Sequence, residues 1–332
     1  MVEHRSIVTT SRCAVSGREF AMSSHNAFGQ PLLTFPDPDK SPLSIRAKAL
    51  VFVDPRSRKL REAVEHLAPL PLPVLIRGES GTGKELLARQ IHRSSDRGGL
   101  FVSVNCAAIS PTYADAELFG YSAGAHGGTA GSRAGWFGSA NGGTLYLDEI
   151  ADLPLPIQGK LLTALETREV SRVGAAHAQP VDVRLVAASS IDLAKVVEAG
   201  RFNERLYRYL HEGELELPAL RERVGDILPL AEYFVGIYGM RLDRPLPLIS
   251  EAAQLALEAH PWPGNTRELE NVIHFALLVG QGKEVLPEHL GLPDPDPLAS
   301  LAARLDQLTH AQEPANIEAL RKLLHMTLAR LT

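Results

Sequence analysis

The chain has 332 residues, 45% of them hydrophobic and 22% charged, with a formal net charge of −5 at pH 7. That length suits two domains and buries about three quarters of the unfolded surface, so no disulfide or metal staple is required. The acidic balance excludes a protein whose main task is coating nucleic acid, while leaving room for a local DNA contact.

Pro69, Pro71 and Pro73 interrupt the greasiest stretch, and no run of about 18 apolar residues exists, which excludes a transmembrane helix. The N-terminus lacks the charged, apolar, then small pattern of a secretory signal. Cys13 and Cys106 are too few for a disulfide framework or a zinc site. Together these features point to a cytoplasmic protein with no membrane partner.

Residues 1–45 read as a flexible leader, with Pro31, Pro36, Pro38 and Pro42 punctuating a stretch of no sustained periodicity. From about residue 55, short β-rich runs at 74–76, 101–104, 144–147 and 183–187 alternate with helical windows. Those windows begin at Lys84, near Ile157 and at Asp192. Such alternation predicts an α/β fold with a central parallel sheet covered by helices, spanning 46–224. Strand signals then fade, and helical windows at 226–238, 251–259 and 267–279 predict a small all-α subdomain over 225–291. The remainder, 292–332, reads as a Pro- and Asp-rich linker followed by two apolar-striped helices. Leucines at that spacing suit a packing face or a dimer interface.

The strongest signal is Gly78-Glu79-Ser80-Gly81-Thr82-Gly83-Lys84, which follows an apolar run and opens a helix. That is the context of a phosphate-binding P-loop: glycines let backbone N–H groups converge on phosphates, and the helix N-terminus adds positive charge. Lys84 would neutralise the β- and γ-phosphates. Glu85 stands where a serine or threonine usually reaches magnesium. Thr82, where a nucleophile elbow needs glycine, excludes a serine hydrolase.

Downstream, Gly142-Gly143-Thr144-Leu145-Tyr146-Leu147-Asp148-Glu149 reads as an apolar strand ending in two acids. Alone, such a pair is commonly the start of a solvated loop. Beside a P-loop, Asp148 would hold Mg2+ through water and Glu149 would polarise the attacking water of ATP hydrolysis.

Residues 50–290 resemble the AAA+ domain of bacterial sigma-54-dependent transcription activators. The resemblance rests on the P-loop through Glu85, Val104-Asn105-Cys106-Ala107-Ala108, Glu117-Leu118-Phe119-Gly120 and the stretch from Gly142 to Ile150. It extends to Leu217-Pro218-Ala219-Leu220-Arg221-Glu222-Arg223 and Trp262-Pro263-Gly264-Asn265-Thr266-Arg267-Glu268-Leu269. It implies a P-loop AAA+ domain with an all-α lid, assembled with itself into a hexameric ring. ATP and Mg2+ would be its cofactors, and RNA polymerase with sigma-54 its partner. It further implies that Asn105 restrains Glu149 and that Arg267 senses nucleotide from the lid, although an arginine there also suits a helix cap or a surface ion pair.

The chain departs from that family at four places. Gly124-Ala125-His126-Gly127-Gly128-Thr129 stands where the family's polymerase-contacting loop reads GAFTGA, so loss of sigma-54 activation is expected. In the arginine-finger segment, Asn203 and Tyr209 occupy the two arginine positions. Arg208 lies one residue early, about 100° around a helix, and Arg205 lies two residues from the first position, about 200° around. Slow hydrolysis is therefore expected. Ser189-Ser190 replaces the Thr-Asn that senses the γ-phosphate. The final window, 317–331, forms one apolar-striped helix rather than a complete DNA-reading motif, and the leader is too short for a receiver domain. Two readings stand: an ATP-hydrolysing ring that regulates transcription, and a nucleotide-holding scaffold or partner subunit that modulates a full-length activator.

Overall fold

The computed structural model describes residues 32–34, 49–125, 131–242, 246–280 and 282–293. Nearly all of the leader and the C-terminal windows fall outside them. Strand β1 (Leu32–Thr34) pairs antiparallel with β2 (Ala49–Val51). Helix α1 (Pro55–Leu67) follows, with Asp54 accepting the Arg56 N–H as its cap and proline in the first turn.

The α/β region then runs β3 (Val74–Arg77), α2 (Lys84–Arg93), β4 (Phe101–Asn105), α3 (Ala114–Phe119), α4 (Gly135–Ser139) and β5 (Thr144–Asp148). It continues through α5 (Leu155–Thr167), the two-residue pair β6 (Glu169–Val170) and β7 (Gln179–Pro180), and β8 (Arg184–Ser189). Two short helices, α6 (Leu193–Glu198) and α7 (Glu204–Leu210), lead to β9 (Glu214–Glu216). The helical region holds α8 (Ile227–Arg241), β10 (Leu248–Ile249), α9 (Glu251–Ala259), α10 (Asn265–Val279), β11 (Glu284–Val285) and α11 (Pro287–Leu290). Among the described residues no helix is long and apolar enough to cross a membrane.

Five strands form the central sheet in the order β4-β5-β8-β3-β9, every neighbouring pair parallel. The inner strands are near-continuous apolar runs because both sheet faces are covered. Side chains alternate between two cores. Leu75, Leu145, Leu147, Leu185 and Ala187 pack on one face with α3 and α5. Val74, Ile76, Tyr146, Val186 and Ala188 pack on the other with α1 and α2. A third core, around Phe234, Trp262, Leu269 and Ile273, belongs to the helical region. Strand β2 is divided between the last two: Ala49 and Val51 enter the helical core, Leu50 the sheet core.

The strand order determines which loops meet. At the carboxyl ends of the strands stand, in a row, Asn105 closing β4, Asp148 and Glu149 at the end of β5, Ser189 and Ser190 at the end of β8, and the P-loop after β3. In open parallel sheets this edge is where ligands bind.

Candidate nucleotide-binding site

The P-loop opens α2. Gly81 and Gly83 have φ of +80° and +107°, backbone that side-chain-bearing residues rarely adopt. A Cβ on Gly81 would lie 2.3 Å from the Gly264 carbonyl oxygen, so glycine also permits the lid's close approach. Thr82 is buried and closes the loop by donating to the Glu79 carbonyl at 2.7 Å. Lys84, only 6% exposed, donates to the Gly78 carbonyl at 2.9 Å and lies 3.2 Å from Glu149 Oε1. Glu85 is ion-paired with Arg89 one helical turn on, at 2.7 Å.

Asp148 ends β5 with its Oδ1 accepting the Tyr146 hydroxyl at 2.9 Å. Burial pushes the Asp148 carboxyl upward, opposed by the Tyr146 hydrogen bond and by Lys84. Tyr146 itself is pushed up, first by burial and then by the Asp148 charge beside it.

Glu149 has left-handed backbone, φ 49° and ψ 56°, a conformation that costs about 1–3 kcal/mol outside glycine. Its carboxylate offsets that cost: Oε2 accepts the Ser190 N–H at 2.9 Å and the Ser190 hydroxyl at 2.8 Å, while Oε1 faces Lys84. Asn105 is engaged elsewhere, accepting the Ala107 N–H at 3.0 Å as the cap of a short turn. It sits beside Asp148 in the β4–β5 register, and among the described residues no hydrogen bond joins it to Glu149. Asparagine's preference for capping its own backbone accounts for this contact.

The lid, and the segment leading into it that carries Arg221 and Arg223, grip the P-loop. Asn265, fully buried and left-handed at φ 54°, donates to Glu79 Oε2 at 3.0 Å and to the Ser80 carbonyl at 3.1 Å. Its Oδ1 accepts the Leu220 N–H at 2.8 Å. Arg221 forks onto the same Glu79 carboxylate, which the guanidinium and then the Asn265 amide hold down at about 2. Buried Arg223 donates to the Thr82 carbonyl at 3.0 Å. The Arg267 N–H reaches the Gly81 carbonyl at 3.3 Å, and Arg267, Thr266 and Glu270 line one cleft with Lys84, Asp148 and Glu149.

Comparison with known proteins agrees with this geometry. Residues 50–216 match the family described as the sigma-54 interaction domain, and 221–293 match the AAA+ ATPase lid domain. The chain is 52% identical over 248 residues to the sigma54-dependent transcriptional activator SfnR of Pseudomonas putida, covering 74% of this chain and 68% of that one. The chain belongs to the sigma-54-dependent transcriptional activator family. It is an AAA+ transcription regulator of that type, with an ATP-binding P-loop. It is also 43% identical over 253 residues to the transcriptional regulatory protein FlbD of Caulobacter vibrioides, covering 76% of this chain and 56% of that one. NtrX from Brucella abortus, solved in complex with ATP, superposes with a TM-score of 0.68 at 30% identity over 86% of this chain and 70% of that one.

The segments where this activator-family chain departs from the pattern have visible local roles. Asn203 caps α7 by accepting the Leu206 N–H at 3.0 Å, and its own N–H donates to Gln158 at 2.7 Å. Tyr209 is half-buried against the core. Arg205 and Arg208, with side chains 72% and 71% exposed, pair with Glu166 and Glu204 of their own chain. At the start of the 124–129 segment, Gly124 turns at φ +82° and the Ala125 N–H donates to the Ser122 carbonyl at 3.2 Å. His126, Gly127, Gly128 and Thr129 lie outside the described residues.

Ser190, Asn265 and the Glu79–Arg221 pair escaped assignment from sequence. Ser190 was legible only as a substitution at a sensing position. The Glu79–Arg221 contact joins residues 142 apart, so no local spacing signals it.

Proposed function

We propose that this chain binds ATP with Mg2+ between its P-loop and lid and hydrolyses it slowly, as a hexameric ring that regulates transcription. The observation that carries the reading is the convergence of Lys84, Asp148 and Glu149 on one cleft, with the lysine and the glutamate 3.2 Å apart. The nucleotide-binding subdomain would span 46–224, the lid 225–291 and the linker with C-terminal helices 292–332.

Gly78, Glu79, Ser80, Gly81, Thr82 and Gly83 form the phosphate cradle, Lys84 bears on the β- and γ-phosphates, and Glu85 and Arg267 flank the site. Among the described residues no group of three acidic, His or Cys side chains surrounds a metal position. That suits Mg2+, which is commonly held by one or two carboxylates together with substrate phosphates and waters. Asp148 would be its carboxylate, and the ion would neutralise phosphate charge when bound. Glu149 orients and polarises water. The water oxygen bonds to the γ-phosphorus as the bond to the β–γ bridging oxygen breaks. ADP departs with that oxygen and its electron pair, and the water's proton passes through Glu149 to solvent.

Arg205 and Arg208 are the exposed cations that a neighbouring copy would receive. Because they are displaced from the usual positions, turnover should fall well below that of enzymes whose arginine fingers contribute roughly 10³–10⁵ in rate. The altered loop at 124–129 weakens the expected action on RNA polymerase with sigma-54. Titration calorimetry tests the reading: wild type binds ATP, Lys84→Ala does not, and Glu149→Gln binds without turning over. ATP affinity equal in wild type and Lys84→Ala overturns it.

A further inference from the structure

We propose that Ser190 is the positioning residue for Glu149: it anchors Oε2 and leaves Oε1 to exchange Lys84 for the attacking water. The inference rests on the reading above, in which Glu149 polarises that water.

The topology supplies the first argument. Strand β8 lies between β5 and β3, so Ser190 stands between Glu149 and the P-loop at the carboxyl edge of the sheet. Asn105 lies on the opposite side of β5, at the end of β4. The left-handed turn at Glu149 accompanies a carboxylate directed toward β8 and the P-loop, away from β4.

The contacts supply the second. Both donors of Ser190 converge on a single oxygen, N–H at 2.9 Å and hydroxyl at 2.8 Å, while the other oxygen has Lys84 at 3.2 Å. Two donors on one carboxylate oxygen restrain rotation about the terminal bond and aim the second oxygen. Hydrogen bonds to an ionised acceptor are the stronger kind.

The two contacts respond differently to a triphosphate. Lys84 also bonds the Gly78 carbonyl inside the cradle, where phosphate oxygens attract an ammonium more strongly than one carboxylate does. Phosphate therefore draws Lys84 from Oε1, whereas the uncharged donors of Ser190 stay on Oε2. Oε1 then faces the water whose oxygen bonds the γ-phosphorus, and it receives the proton as ADP leaves with the bridging oxygen. Ser190 touches no reacting atom and acts through Glu149.

The test combines steady-state kinetics with amide NMR on the full chain. Ser190→Ala keeps the N–H and loses the hydroxyl, so kcat should fall about tenfold with KM for ATP unchanged, since misdirecting a catalytic group by about 1 Å costs up to roughly 10²-fold. Ser190→Thr, which retains the hydroxyl, should restore kcat. The Ser190 amide proton should move upfield in Glu149→Ala, and in wild type it should hold its place when a non-hydrolysable ATP analogue is added. A Ser190→Ala enzyme with wild-type kcat, or a Ser190 amide indifferent to Glu149→Ala, overturns the role of Ser190. Wild type that binds ATP without turnover overturns the hydrolysis reading itself.

Discussion

Gly81→Ala probes how tightly the lid is seated on the P-loop. At φ +80° an alanine costs roughly 1–2 kcal/mol in backbone strain alone. The new Cβ also meets the Gly264 carbonyl oxygen at 2.3 Å and Arg267 Cβ at 3.3 Å. Overpacking of that kind adds about 1–3 kcal/mol, and it falls on the lid segment whose Arg267 N–H bonds the Gly81 carbonyl. Gly142→Ala isolates the first contribution, because Gly142 has φ +74° and a Cβ there would meet nothing within 4 Å. Urea unfolding should therefore show Gly142→Ala losing roughly 1–2 kcal/mol and Gly81→Ala about 2–5 kcal/mol. Parallel titrations should show ATP affinity falling at least about tenfold in Gly81→Ala, equivalent to about 1.4 kcal/mol, and unchanged in Gly142→Ala. Equal losses in the two variants, or wild-type ATP affinity in Gly81→Ala, would refute the reasoning.

Three further outcomes are expected. Glu79 is held at about 2 against an ordinary value of 4.5, so its contribution to stability is complete above pH 4.5 and is lost as pH falls toward 2. The difference in urea midpoint between wild type and Glu79→Gln should shrink across that window, modestly because the ion pair is half exposed; a difference independent of pH contradicts the assignment. Restoring arginines with the double variant Asn203→Arg, Tyr209→Arg should raise ATP turnover at least about tenfold if the ring forms, despite losing a helix cap worth about 1 kcal/mol; unchanged turnover argues against those positions facing a neighbour's nucleotide. Asp148→Asn should raise the Mg2+ concentration needed for half-maximal turnover while leaving metal-free ATP binding in place. An unchanged Mg2+ requirement removes Asp148 from the metal's coordination.

The sheet was legible because its inner strands are apolar on both faces, so 74–76, 144–147 and 183–187 stand out as short β-rich runs, while the edge strand β4 shows at 101–104 through Phe101, Val102 and Val104. Strand β9 did not stand out: Glu214 and Glu216 flank a single inward leucine at the sheet's edge, and Glu214 is there to pair with Arg77 at 2.6 Å. Strand β2 is three residues long and divides its side chains between two cores, which leaves no one-sided pattern. The P-loop and the acid pair were legible because their chemistry is local in sequence. The Ser190 contact was not, since it follows from the order β5-β8-β3, and strand order is decided by packing across the sheet rather than by any one segment. The local contact of Asn105 has the converse origin: a short polar side chain before a turn finds the nearest backbone N–H first.

The central claim, that this domain is an ATPase built around Lys84, Asp148 and Glu149 and completed by a neighbouring copy, is tested most directly by steady-state ATP hydrolysis across a wide range of protein concentration. Lys84→Ala and Glu149→Ala serve as references. The account predicts wild-type turnover per subunit that rises with concentration and vanishes in both variants. Wild-type turnover no greater than that of Glu149→Ala, with ATP still bound by wild type and not by Lys84→Ala, would contradict it and leave a nucleotide-holding scaffold.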